Sequence, residues 1–349
     1  MDIREVARHD RALVRRHWEI GRAADAGRAY DFDVPWEQAW AALCDGRHDR
    51  ETVLLGAFDD GVMWGAAHVE VNLLDNVSLG SATYHVHPER QRRGFGRALA
   101  EASYDVARER GCTRLVTDAY APVDGDSPGV LFARALGFAV ALVDGMKVVD
   151  LVETEPTWAA LEERIAPRAA GYRVVVWVDR VPEELLDGYC RLNEMFHEQA
   201  PMGELEVEAE TWDEKRVRSR EERNLRIGRR EACAGALAAD GTLVALTEAI
   251  TSRSAPERGI QSGTIVDPAH RGHSLGLAVK LANHRQLRAR FPRCRVLLTG
   301  NADVNAAMNA VNSTLGYREV ERCLEMQRDL PPAGSRPAEN SGAARASAP

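Results

Sequence analysis

Val86-His-Pro-Glu-Arg-Gln-Arg-Arg-Gly-Phe-Gly-Arg-Ala-Leu99 decides the reading of this 349-residue chain. An apolar strand end, a proline, a basic turn with two glycines and apolar residues at helical spacing follow one another. Such a turn offers successive backbone N–H groups backed by the positive end of a helix, a concavity suited to a pyrophosphate. Gly94 and Gly96 allow close backbone approach, and Arg90, Arg92, Arg93 and Arg97 add positive potential. Further along, Val266-Asp-Pro-Ala-His-Arg-Gly-His-Ser-Leu-Gly-Leu-Ala-Val279 repeats the same order. Pro88 and Pro268 lie 180 residues apart; the glycines of Ala135-Leu-Gly-Phe138 and Thr314-Leu-Gly-Tyr317 lie 179 apart. Two landmarks kept in order and spacing argue an internal duplication of domain-sized units. A lone basic turn would be a weak signal, since many α/β proteins use one as a plain strand-to-helix connector.

Local patterns fill in each half. Thr52–Phe58 and Val62–Asn72 read as strands joined by Asp59-Asp60-Gly61, and Glu231–Ala239 and Thr242–Ile250 as strands joined across Asp240-Gly241. Ser81–His87 and Gln261–Val266 are the strands that feed the two turns. Gly96–Arg110 is an amphipathic helix stopped by Gly111, and Thr113–Thr117, Pro128–Leu136 and Phe138–Val149 continue as strand, helix and last strand. Pro182–His197 and Trp212–Arg226 are helices of the second half, which opens near Tyr172-Arg-Val-Val-Val-Trp-Val178.

The turn Gln91-Arg92-Arg93-Gly94-Phe95-Gly96 matches in full the Q/R-x-x-G-x-G/A motif of the GNAT superfamily of acyltransferases. Arg271-Gly272-His273-Ser274-Leu275-Gly276 matches it in part, with Ser274 where the first motif glycine belongs. With Asn301, Asn305, Met308 and Asn312 before Leu-Gly-Tyr317, the second half resembles the C-terminal halves of tandem GNAT proteins of actinobacteria. This resemblance implies two tandem GNAT-like domains. Each would be a mixed, mostly antiparallel twisted sheet with a splayed central parallel pair and flanking helices. The expected division is residues 1–150, a connector at 151–170, residues 171–330 and a disordered Pro/Gly/Ser/Ala tail at 331–349.

The resemblance also implies acetyl-CoA as acyl donor and direct attack on its thioester by an amine. The residues expected to hold it are Val86, Gln91, Arg92, Arg93, Gly94, Phe95, Gly96 and Arg97, and again Val266, Arg271, Gly272, His273, Ser274, Leu275 and Gly276. Because both motif glycines survive in the first half, that half is expected to bind acyl-CoA and the second to bind it more weakly or differently.

Composition agrees with a small anionic ligand. The net charge of −8 disfavours nucleic acid, while the turns are locally basic. Six scattered cysteines without a C-x-x-C pair give no expectation of metal or of a disulfide framework. No apolar run has membrane-span length and no signal-peptide core is present, so a cytoplasmic location is expected. Oligomeric state is open.

Candidate catalysts are sparse. Glu70 and Glu248 occupy similar strand positions 178 residues apart and could serve as bases, or be solvated strand carboxylates. Tyr84 lies on the ligand-bearing strand; alternation puts it on one face and His85 and His87 on the other. The family's usual acid for the departing thiolate, a tyrosine four residues before the glycine of the Leu-Gly-aromatic triplet, is replaced by Ala133 and Asn312. The run Glu204-Leu-Glu-Val-Glu-Ala-Glu210 could attract a cationic acceptor or form a solvated face with Lys215, Arg216 and Arg218. The expected function is N-acetylation of a small primary amine. The alternatives are a non-catalytic acyl-CoA sensor and, disfavoured by the acidic balance, tRNA-dependent aminoacyl transfer.

Overall fold

The computed structural model describes residues 1–28, 30, 34–199, 203 and 211–331. The acidic run at 204–210 and the tail from 332 onward therefore lie outside the described residues. The first half runs β1 (Asp2–Glu5), α1 (Arg11–Ala24), α2 (Trp36–Asp45), β2 (Arg50–Asp59), β3 (Val62–Asn72), β4 (Leu79–Val86), α3 (Phe95–Glu109), β5 (Arg114–Ala121), α4 (Pro128–Ala135) and β6 (Ala139–Asp150). A helical connector, α5 (Leu151–Thr154) and α6 (Trp158–Ala169), leads to the second half. That half repeats the order with β7 (Arg173–Val178), α7 (Leu186–Gln199), α8 (Glu214–Arg226), β8 (Arg229–Leu237), β9 (Leu243–Ser252), β10 (Arg258–Val266), α9 (Leu275–Arg290), β11 (Val296–Ala302), α10 (Ala306–Thr314) and β12 (Arg318–Asp329).

The duplicated units are present, each a mixed sheet with one parallel pair, but they are not closed separately. All twelve strands form one sheet in the order β1-β2-β3-β4-β5-β12-β6-β11-β10-β9-β8-β7. The last strand of the second half inserts beside β5, and the last strand of the first half crosses to β11. Leu324 and Met326 of β12, with Leu330 just beyond its end, thus sit in the first core with Leu99, Leu115 and Val130. The exchange preserves local alternation, so nothing in the period-2 pattern distinguishes it from two self-contained sheets.

Both hairpins form where the Asp-Gly pairs stand. Asp60 and Gly61 take φ of 48° and 77°, the left-handed pair that a tight hairpin turn needs. On one sheet face, α3 and α4 cover the first half and α9 and α10 the second. On the other lie α1 and α2, then α7 and α8: Val14 and Ile20 pack on Ala66, and Tyr189, Leu192 and Val217 pack on Leu246. Ion pairs knit the halves together, among them Arg28–Glu321 at 2.6 Å, Arg216–Asp75 at 2.8 Å and Arg226–Asp45 at 2.6 Å.

Candidate active site

The two basic turns have nearly the same backbone. Each holds two residues in the left-handed region: Arg92 (φ 62°) and Gly94 (φ 89°) in the first, Gly272 (φ 85°) and Ser274 (φ 59°) in the second. Ser274 therefore takes the conformation of the glycine it replaces, and a glycine has appeared two residues earlier, opposite Arg92. Gln91 and Arg271 play one role: Gln91 Nε2 donates to the Val86 carbonyl and Arg271 Nε to the Val266 carbonyl, each at 3.3 Å, tying turn to strand end. Arg92, Arg93, Arg97, Arg271 and His273 are exposed, and Phe95 and Leu275 are buried as the first residues of α3 and α9. First-turn helix amides have no intrahelical acceptor and remain for an anion. The His273 ring turns away, with Nδ1 3.2 Å from the Arg168 carbonyl and the ring against Tyr172.

Beyond the turns the halves diverge. In both, the parallel strands pair for only three residues, Leu79–Ser81 with Arg114–Val116 and Arg258–Ile260 with Val296–Leu298, and then splay. In the second half the splay opens into a cavity of about 770 Å³. It is bounded at one end by Arg271, Gly272 and Ser274, and it passes between β10 and β11 to Phe196, Asp144 and Glu325. In the first half, Phe132 of α4 fills the corresponding place. A Cβ added at Gly96 would fall 2.9 Å from Phe132 Cζ, so that glycine is required by the ring. Phe132 in turn meets Tyr84 edge-on at 6.2 Å between centroids. The equivalent positions in the second half are Val311 and Thr264, and both line the cavity. At Gly276 an added Cβ would meet only Val266 Cγ2, at 3.6 Å.

The far end of the cavity is acidic. Asp118 on β5 and Glu325 on β12 are register partners, as are Asp144 on β6 and Cys323 two residues from Glu325, so all three carboxylates share the face of α1 and α7. Burial, then the neighbouring carboxylates Asp118 and Asp144, push Glu325 up to about 7. Burial also raises Asp144, opposed by Lys147 and reinforced by Asp303 and Asp118, and raises Asp118. Sequence reading missed these groups because they come from three strands, two of which are neighbours only through the exchange.

The residues expected to be catalytic stand elsewhere. Glu70 lies between Arg50 at 3.2 Å and His68 at 3.5 Å, and the His68 hydrogen bond, ahead of the cost of burial, lowers it to about 2. Tyr84 is enclosed beside Phe132, and burial raises its phenol. As alternation implied, His85 lies on the opposite face, against Gly21 and 3.4 Å from Asp25. Glu248 is buried under α7 and α8, accepting from Tyr189 and, at 2.9 Å, from Arg220. Glu231, Cys233 and Glu248 come together there, but the Arg220 guanidinium already bridges the two carboxylates, reaching Glu231 at 3.3 Å. Burial raises Glu231 despite that guanidinium. Asn305 caps α10 by accepting from Met308 N at 3.2 Å.

The twofold glycine turn and splayed parallel pair define the acyltransferase class of fold, built twice in one chain. The comparisons agree: residues 16–138 match the Acetyltransferase (GNAT) family model. A tandem GNAT protein from the clavulanic acid biosynthesis pathway superposes with a TM-score of 0.77 at 24% identity, over 95% of this chain and 99% of that one. A GCN5-related N-acetyltransferase from Sphaerobacter thermophilus gives 0.65 at 16% identity, over 95% and 96%. Saccharomyces cerevisiae N-myristoyltransferase, with bound myristoyl-CoA, gives 0.57 at 9% identity, over 93% and 77%. No curated protein matches the sequence. The chain thus has the fold of a tandem GNAT protein, and its first half carries the match to the family model.

Among the described residues no helix is long and apolar enough to cross a membrane.

Proposed function

We propose that the second half, not the first, is the acyl-CoA site, and that the protein transfers an acyl group, acetyl in the simplest case, to the primary amine of a small molecule. The observation that carries this is the cavity through the sheet, which joins a basic turn to an acidic end. The amides around Gly272–Gly276 and the Arg271 side chain would hold the diphosphate. The gap between β10 and β11 would take the pantetheine arm and set the thioester within reach of an acceptor entering past Phe196. A volume of about 770 Å³ accommodates an extended arm and a small acceptor.

Asp144 and Glu325 would draw in a cationic amine. Glu325, near neutrality by burial and like charge, suits collection of the proton that the amine must lose. The amine nitrogen forms a bond to the thioester carbon, the carbon–sulfur bond breaks, and the sulfur leaves with its electron pair. The products are an amide and a free thiol. Proximity along a walled channel would supply much of the rate.

Isothermal titration with acetyl-CoA tests the assignment. One site per chain is expected. Gly276→Asp, which has room for a side chain but sets a carboxylate at the anion site, should abolish binding, while Gly94→Asp should leave it within twofold. Binding undiminished by Gly276→Asp would end the reading. Thiol release with a panel of spermidine, tyramine, glucosamine and lysine then separates transferase from sensor. The sensor reading is favoured by Ala133 and Asn312 standing where the family's tyrosine acid belongs, and predicts binding without turnover.

A further inference from the structure

The cavity wall holds one cation that acyl transfer, as described above, leaves without a task. Lys280 sits one helical turn beyond Gly276 on α9, is 1% exposed, and lines the cavity beside the splay. Its Nζ donates to Asn312 Oδ1 at 2.6 Å and lies 4.8 Å from the centre of the Tyr317 ring. Asn312 Nδ2 passes the contact on to Asn301 Oδ1, and Asn301 stands on β11 at the cavity wall. Among the described residues no carboxylate forms an ion pair with Lys280. An unpaired buried ammonium is expensive to keep, and the fold does not require it: the equivalent residue of α3 is Ala100, buried in an apolar core.

The other titratable groups around it do not neutralise it. On its own helix His284 is held neutral by burial, its pKa lowered to about 3, with Nε2 3.1 Å from the Tyr317 hydroxyl. Tyr317, following α10, keeps its proton because burial raises it. From β6 and β12 Asp144 and Glu325 face the same cavity, while β11 and α10 present the neutral Asn301 and Asn312. Burial lowers Lys280 to about 7, so it exchanges between ammonium and amine near neutrality.

We propose that Lys280 protonates the departing CoA thiolate in the second half, with Asn312 and Asn301 positioning its ammonium. The inference rests on the acyl-transfer reading above. As the carbon–sulfur bond breaks, the sulfur takes its electron pair and one Nζ proton, giving the free thiol and a neutral lysine. The proton lost by the attacking amine passes to Glu325 and then to solvent, and solvent returns one to Lys280. Neither residue is consumed.

The test compares the parent with Lys280→Met and Lys280→Arg, using acetyl-CoA and whichever panel amine releases thiol fastest in the parent. The parent's kcat should rise with pH as Glu325 ionises and fall again above about 7 to 8 as Lys280 loses its proton. Lys280→Met should lower kcat by about 100-fold or more, bind acetyl-CoA within about threefold of the parent, and lack the alkaline decline. Its thermal midpoint should match or exceed the parent's, since a buried charge is gone. Lys280→Arg keeps the charge but cannot release a proton, so it should be equally impaired. Turnover by either variant within threefold of the parent overturns the proposal, as does an alkaline decline that survives in Lys280→Met. Should neither variant fold, a parent kcat still climbing at pH 9 overturns it alone. Acetyl-CoA binding by the parent with no turnover on any amine overturns the transferase reading, and this inference with it.

Discussion

The two glycine turns differ least where the sequence suggests they differ most. Replacing Gly94 by its counterpart Ser274 looks like decay of the second site, yet both residues adopt the left-handed backbone and leave the helix amides in the same place. The functional difference lies one layer behind the motif. Phe132 and Tyr84 fill the first splay, whereas Val311 and Thr264 leave the second open. Gly96, which reads as preserved for a ligand, is preserved for a phenyl ring. A motif glycine reports close approach by something; only the packing shows what approaches.

This contrast can be broken at several levels. The largest effect is expected from dividing the chain. Residues 1–150 expressed alone lack β12, and with it Leu324, Met326 and Leu330 of their core. They should show no cooperative thermal transition, whereas a sharp transition with native-like far-UV dichroism would mean that the first half can close on β6.

Exchanging the plug comes next. Val311→Phe should weaken acetyl-CoA binding by at least 20-fold in titration calorimetry, by filling the open splay as Phe132 fills the other. Phe132→Val should cost about 1–3 kcal/mol in denaturant unfolding through the cavity it leaves, and a second binding event per chain would show that the plug alone silences the first half.

Two carboxylates should respond to pH with opposite sign. Glu70 is lowered to about 2 by His68 and Arg50. It therefore stabilises the fold above its unfolded value of about 4.3, and that contribution disappears as pH falls toward 2. Glu70→Gln should lower stability by about 1–2 kcal/mol at pH 7, after allowing for solvent screening, and by nothing near pH 2. Glu325 is raised to about 7, so its ionisation opposes folding as pH rises above the unfolded value. Glu325→Gln should raise the thermal midpoint at pH 8 and leave it unchanged at pH 4. Melts at these pH values would expose a shared sign, which would refute the assigned environments.

The smallest effect is expected at Ser274 itself. Ser274→Gly should relieve left-handed strain and stabilise the protein by about 0.5–1 kcal/mol, partly offset by added freedom of the unfolded chain, with acetyl-CoA affinity unchanged. A marked gain in affinity would restore the motif glycine to the importance that the sequence gives it.

Local elements were legible because local chemistry sets them. The Asp-Gly hairpins, the helix running from Gly96, the strands feeding both turns and the duplication all follow from period and turn residues. Partnership between distant strands was not legible. β6 and β12 carry equivalent patterns, and either satisfies the edge of β5, so register gives no sign of the exchange. The acidic group of Asp118, Asp144 and Glu325 was hidden for the same reason. Glu70 and Glu248 stood out by matched spacing, but spacing could not show that Arg50 and Arg220 already engage them.

The crossing of β6 and β12 also bears on how the protein is made. A ribosome delivers the first half complete in length but with β5 still lacking its neighbour, and more than 160 further residues must emerge before Arg318–Asp329 can dock there. During that interval β5 presents unpaired backbone groups and β6 has no settled partner, a vulnerable state for edge-to-edge association. What reads as two copies of one gene product has become a single maturation event, finished only when the final strand arrives.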